Sequence, residues 1–199
     1  MIPLFFVVDI VAIPLPKASG ETVKPAAGLP TVKEVQGAPA VTIGKATKPN
    51  KLVVQPLIKG KGAAVTAHDS IDVKYRTYAW SSGELIEDGY SGEPVTGSMN
   101  SVIPGWKKGL IGQTVGSRVM LIVPPADAYP NGSTNPPVKK GETLIYVIDI
   151  LSAQKRILSG DGFARDMPAY TCLRVDGSRA APPHRELHHS TTPLLRQEA

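Results

Sequence analysis

Histidine and cysteine are scarce in this 199-residue chain, four and one, and neither offers a convincing metal or nucleophile constellation. His184 and His188 put two imidazoles four residues apart, with His189 beside them, but no third ligand follows at a spacing a metal would use and Pro182-Pro183 break the stretch. Cys172 is the sole cysteine and has no histidine near it in sequence, so it reads as a free thiol, and no intramolecular disulfide can form. Gly60-Lys61-Gly62 lacks the spacing of a phosphate loop, and Gly109-Leu110-Ile111-Gly112 sits inside a helix-turn block. Asn131-Gly132-Ser133 is a glycosylation sequon only for a chain that enters a eukaryotic secretory route. The remaining candidates offer apolar surface and neutral donors, not nucleophiles. Taken singly they have plain readings: Trp106 as core, Tyr75 and Tyr146 as core aromatics with a hydroxyl partner, Tyr129 as loop packing beside Pro130, Glu87 as a solvated carboxylate in a Gly-rich turn.

The elements that would position these side chains are short. Gly and Pro number 19 each, too many for long helix interiors. Strands are expected at Leu52 to Gln55 and at Ile71 to Trp80, where Ile71, Val73, Tyr75 and Thr77 alternate with Asp72, Lys74, Arg76 and Tyr78 to give one buried and one wetter face. From Ser81 to Asn100, five glycines and prolines between Gly83 and Gly97 prevent any long element. Ile103, Trp106 and Leu110 then fall at helical spacing between glycines, which predicts one short helix. A strand over Ser117 to Val123 is stopped by Pro124-Pro125, and after a long loop Thr143 to Leu151 forms the last strand. The order predicts an α+β fold built on an antiparallel sheet.

Four blocks carry a more specific signal: Val102-Ile103-Pro104-Gly105-Trp106-Lys107-Lys108-Gly109-Leu110, Val115-Gly116-Ser117-Arg118, Ile122-Val123-Pro124-Pro125-Ala126-Asp127-Ala128-Tyr129, and Gly141-Glu142-Thr143-Leu144 closing on Asp149-Ile150-Leu151. In order and spacing they resemble the FKBP-type peptidyl-prolyl cis-trans isomerases, over about half of the chain. The resemblance implies a five-stranded antiparallel sheet wrapped around one short helix, with an apolar pocket between them. It implies site residues Tyr75, Glu87, Ile103, Trp106, Tyr129 and Tyr146, with Ile86, Val95, Val102 and Val138 as further substrate-binding positions. Trp106 would floor the pocket, Tyr129 would offer its hydroxyl to the substrate carbonyl, and Ile103 its backbone amide. Partners are then proline-containing polypeptides and a macrolide inhibitor of the rapamycin type, and no cofactor is required. Where most members of that family place Phe-Asp this chain has Ile86-Glu87, and Val95 replaces another aromatic. Those departures keep a second reading open, a proline-binding or chaperone-like module with little turnover.

Outside the four blocks the pattern weakens. Leu4 to Val11 aligns without gaps on Leu144 to Leu151, each an apolar run with one Asp at the same position, so residues 1–13 read as the last strand of an upstream copy, as in tandem members from actinobacteria. Residues 14–50, rich in Pro, Gly, Ala, Lys and Thr, read as a linker with at most a weak strand at Ala40 to Ile43. The isomerase domain is expected over 51–153 and a disordered tail over 154–199. On that reading residues 1–50 are dispensable for folding. The formal charge of +5 is spread without interleaved aromatics, which argues against nucleic-acid binding. Ile2 to Ile13 is too short to span a bilayer and follows Met1 without a basic region, so the chain as written is expected in the cytoplasm, or exported if an upstream region carries a signal peptide.

Overall fold

A computed structural model describes residues 13–155. The apolar run at Leu4 to Val11, Cys172 and the three histidines His184, His188 and His189 lie outside the described residues.

The sheet is built on its two most deeply buried strands. In β8 (Arg118–Val123) and β9 (Leu144–Lys155) nearly every side chain is buried. Such runs mark strands covered on both faces, so the side chains must alternate between two cores. Val119, Leu121 and Val123 of β8, with Leu144, Tyr146, Ile148 and Ile150 of β9, enter the core that holds Trp106 and Leu110. Met120, Ile122, Ile145 and Val147 enter a second core on the opposite face. β5 (Asp69–Ala79) lies on the other side of β9, and Ile71 and Val73 are 1% exposed on the first face as expected; its other face is not wetter throughout, because Tyr78, expected there as the wetter side, is 6% exposed and packs into the second core.

Around these three strands the remainder is added in antiparallel order. β1 (Gly20–Thr22) pairs with β4 (Val53–Gly60), β4 with β8, β8 with β9, β9 with β5, and β5 with β6 (Leu85–Asp88), while β7 (Val95–Ser98) pairs with the start of β5. Among the described residues there is one α-helix, α1 (Pro104–Leu110), against β8. The α+β class, the antiparallel pairing and the single short helix are as expected. The sheet has seven strands: β4, β5, β8 and β9, the edge strand β1, and the two four-residue strands β6 and β7 that the 81–100 insert contributes.

Residues 14–50 are not a structureless linker. Besides β1 they form a hairpin of β2 (Thr31–Val35) and β3 (Ala38–Thr42), turned at Gln36-Gly37 with both residues at positive φ, the two-residue turn whose twist matches paired strands. Leu29, Val32, Val41 and Ile43 pack on the second face, over Leu57, Tyr78, Met120, Ile122, Ile145 and Val147. Composition hid this cover because β2 turns so little inward, with Val32 its inward contact and the rest exposed, and because the buried residues of β3 are the small or turn-prone Ala38 and Pro39. The last strand also runs past its expected end, with Gln154 and Lys155 paired to Ser70 and Asp69.

The lone Asp in the apolar run of β9 has a partner. Asp149 and Arg118 are cross-strand neighbours; Arg118 donates to both carboxylate oxygens at 2.6 and 2.8 Å, and the Ala18 N–H donates to the same group at 3.3 Å. Asp149 is 1% exposed and Arg118 8%, so the pair is buried and its charges compensated. This places an ion pair where the second core ends, beneath the segment that leads to β1.

Candidate functional site

α1 brings Trp106 to the sheet. Pro104 occupies the first turn, where a missing N–H costs nothing, and Ile103 precedes it in extended geometry with its carbonyl accepting the Lys107 N–H at 3.1 Å. The Ile103 N–H stands ahead of the first turn, where a helix supplies no internal partner. Two glycines let the helix lie close against β8: a Cβ at Gly105 would stand 2.3 Å from Val123 Cγ1, and one at Gly109 2.6 Å from Leu121 Cδ2. With that approach Trp106 is 9% exposed and its ring meets Tyr75 of β5 at 5.1 Å and Tyr146 of β9 at 5.4 Å, both edge to face at 84° and 90°. Such T-shaped pairs fix ring orientation as well as burying area.

Above the indole is an open hollow of about 200 Å³ lined by Tyr75, Glu87, Ser101, Val102, Ile103, Trp106, Tyr129 and Tyr146. Glu87 on β6 accepts from the Tyr75 hydroxyl at 3.4 Å and from the Thr77 hydroxyl at 3.1 Å. Burial raises the Tyr75 hydroxyl above its usual pKa, with the Glu87 carboxylate adding to it, and the same two causes raise Tyr129. Tyr146 is raised furthest, chiefly by burial. All three phenols therefore remain protonated at neutral pH and can donate. Among the described residues no cluster of three metal-binding side chains occurs. The arrangement offers an aromatic floor, aliphatic sides and neutral hydroxyl donors, with the Glu87 carboxylate held by the Tyr75 and Thr77 hydroxyls.

Residues 61–151 match the family model described as FKBP-type peptidyl-prolyl cis-trans isomerase. Over 117 residues the chain is 32% identical to a probable FK506-binding protein of Corynebacterium glutamicum, a stretch that covers 58% of this chain and 98% of that relative. The chain belongs to the FKBP-type peptidyl-prolyl cis-trans isomerase family. It is also 30% identical over 111 residues to the FKBP-type peptidyl-prolyl cis-trans isomerase FkpA of Escherichia coli, covering 56% of this chain and 41% of FkpA. The crystal structure of FkpA matches with a TM-score of 0.48 at 30% identity, over 52% of this chain and 48% of that one. The chain thus spans less than half the length of that relative. The isomerase domain is an enzyme of the class that rotates X-Pro peptide bonds.

Of the positions expected from sequence, Tyr75, Glu87, Val102, Ile103, Trp106, Tyr129 and Tyr146 of the isomerase share the hollow. Three do not line it. Val95 is 44% exposed on β7, opposite Val73, because β7 pairs with the start of β5 and not with the stretch that carries Tyr75. Val138 is 5% exposed and packs in the core with Trp106, its N–H and carbonyl both bonded to Ser133. Ile86 is half-buried and packs against the same core without reaching the wall of the hollow. Sequence reasoning missed Ser101 on the wall and Thr77 behind it. Thr77 had left a signal, its place on the inward face of the β5 alternation.

A larger, shallow groove of about 920 Å³ runs between Leu15, Ala63, Val115 and Leu151. Among the described residues its lining has no aromatic ring, and it lies away from the hydroxyl cluster. No described helix is long and apolar enough to cross a membrane.

Proposed function

We propose that the isomerase seats the prolyl ring of a flexible or unfolded polypeptide on Trp106 and releases it after rotation of the preceding bond. The planar X-Pro amide is resonance-stabilised, with a rotation barrier of about 18–20 kcal/mol and uncatalysed exchange over tens of seconds. Twisting the bond removes the charge separation of resonance, so the twisted form is less polar than the ground state. A hollow floored by indole and walled by Val102 and Ile103 therefore favours the twisted form over the planar one, which is how catalysis by differential binding works.

In this reading the Tyr129 hydroxyl and the Ile103 N–H hold carbonyl oxygens of the substrate, and Tyr75 and Tyr146 set the width of the floor. The phenols act as neutral donors, in keeping with their raised pKa values. A macrolide of the rapamycin type would occupy the same hollow, since it presents an apolar ring and carbonyls to the same groups; the Corynebacterium relative is named as a probable FK506-binding protein. The observation that carries the reading is the right-angled packing of Tyr75 and Tyr146 on Trp106 at the base of an open hollow.

The test is a chymotrypsin-coupled assay on proline tetrapeptides. Wild-type protein should accelerate exchange. Trp106→Ala should lose about two orders of magnitude in kcat/KM, the scale of an aromatic contact made in the transition state plus the collapse it allows. Folded wild-type protein without catalysis at micromolar concentration would sink the proposal.

A further inference from the structure

Thr77 lies between two strands of the site. In register it faces Glu87 of β6 on one side and Tyr146 of β9 on the other, and it is 0% exposed. Its hydroxyl donates to Glu87 Oε2 at 3.1 Å, while the Tyr75 hydroxyl donates to Oε1 at 3.4 Å. Each carboxylate oxygen thus has its own donor, and both donors stand two residues apart on one face of β5.

The two contacts are unequal. At 3.4 Å the phenol bond is long for an O–H···O contact and cannot by itself hold a flexible acid. Glutamate has one more rotatable bond than aspartate, and freezing it opposes rotamer entropy unless a second contact fixes it. Threonine supplies that contact from a side chain that is itself stiff at χ1. A valine would fill the same volume without placing a hydroxyl in the core, where an unpaired polar group is unfavourable. The hydroxyl at this position is therefore explained by its carboxylate partner, and the carboxylate by the phenol it holds.

We propose that Thr77 is a positioning residue of the isomerase: its hydroxyl pins the Glu87 carboxylate so that Tyr75 is kept edge-on to Trp106 and the wall of the hollow is set before substrate arrives. The inference rests on the reading of the hollow as the isomerase site. It acts through Glu87, so removal of either partner should release the same wall.

The experiment compares Thr77→Val, Thr77→Ser, Glu87→Gln and the Thr77→Val/Glu87→Gln double variant in the full chain, with Tm measured for each. Thr77→Val should lower kcat/KM about 5- to 20-fold, a part of what a lost hydrogen bond to a charged group is worth, because the loss reaches the hollow only through Glu87. Thr77→Ser should restore it to within about twofold, and the double variant should fall no further than Glu87→Gln alone. The second readout does not depend on turnover: with tyrosine ring-carbon NMR, the ionisation of Tyr75 should move down in Thr77→Val toward its position in Glu87→Gln. Should Thr77→Val prove too unstable, Thr77→Ala replaces it with the same expectations. Unchanged Tyr75 titration in Thr77→Val, or equal impairment by Thr77→Ser, overturns the inference. An inactive wild type with the Tyr75 shift intact would refute the isomerase reading while leaving the tether standing.

Discussion

Ile86 and Val95 look equivalent in sequence, as aliphatics where the family resemblance expects rings, but their surroundings differ. Ile86 packs beside the core that holds Trp106, whereas Val95 is 44% exposed on β7. Ile86→Phe adds apolar area next to the hollow and should raise kcat/KM by about 3- to 10-fold in the tetrapeptide assay, on the scale of one or two buried methylenes. Val95→Phe should leave it within about twofold, because no group at that position meets the hollow. A larger gain from Val95→Phe would mean that β7 reaches the site in solution. At the neighbouring turn, Arg76 grips Asp88 through Nε at 3.0 Å and Nη2 at 2.8 Å and lowers its carboxyl to about 2. A depressed folded-state pKa contributes stability above the unfolded value near about 4, lost as pH falls through the folded value. Acid unfolding curves of wild type and Asp88→Asn should therefore differ at neutral pH and converge as pH approaches that of the folded carboxyl.

α1 is only seven residues long, too short to persist by propensity, so its place depends on packing. Gly105 and Gly109 set the distance between helix and sheet. Gly105→Ala would press a methyl into Val123 and either lift the helix or shift the strand, at a cost of about 1–3 kcal/mol. Because Trp106 is the next residue, the same variant should show a changed indole emission and a lower kcat/KM along with a lower Tm. A drop in Tm with activity intact would show that Trp106 is positioned independently of the helix-sheet distance.

Across the described residues, the second face of the sheet carries an apolar core of its own, and Leu29, Val32, Val41 and Ile43 from residues 14–50 pack over it. A chain that begins at Lys51 would expose Met120, Ile122, Ile145 and Val147, four side chains now at 0% exposure, and would leave Asp149 without its contact from Ala18. The expected outcome is loss of the cooperative thermal transition or strong dye binding to exposed apolar surface. An unchanged transition would mean that the hairpin is an ornament. The buried pair behaves in the same way: Arg118→Met leaves a buried carboxylate uncompensated and should cost about 3–5 kcal/mol by denaturant titration, while Arg118→Met/Asp149→Leu should recover most of it.

The sequence by itself determined the family, the α+β class, the short helix and most of the site, because each is written locally. The alternation in β5, the apolar runs of β8 and β9, and the Val102 to Leu110 block carry their period or their spacing within a dozen residues. Seven of the ten expected site positions meet in the hollow; Tyr75, Val102, Ile103, Trp106 and Tyr146 sit on those patterned elements, while Glu87 on β6 and Tyr129 in a loop were legible only through the family resemblance. Only the tertiary structure decided the remainder. Which face Val95 presents depends on the part of β5 with which β7 pairs, and the role of Thr77 depends on a carboxylate ten residues away across a strand pair. The cover formed by residues 14–50 was invisible to pattern because β2 turns a single side chain inward and β3 buries Ala38 and Pro39, and the apolar contacts of Leu29, Val32, Val41 and Ile43 exist only on the surface that β4, β5, β8 and β9 form together.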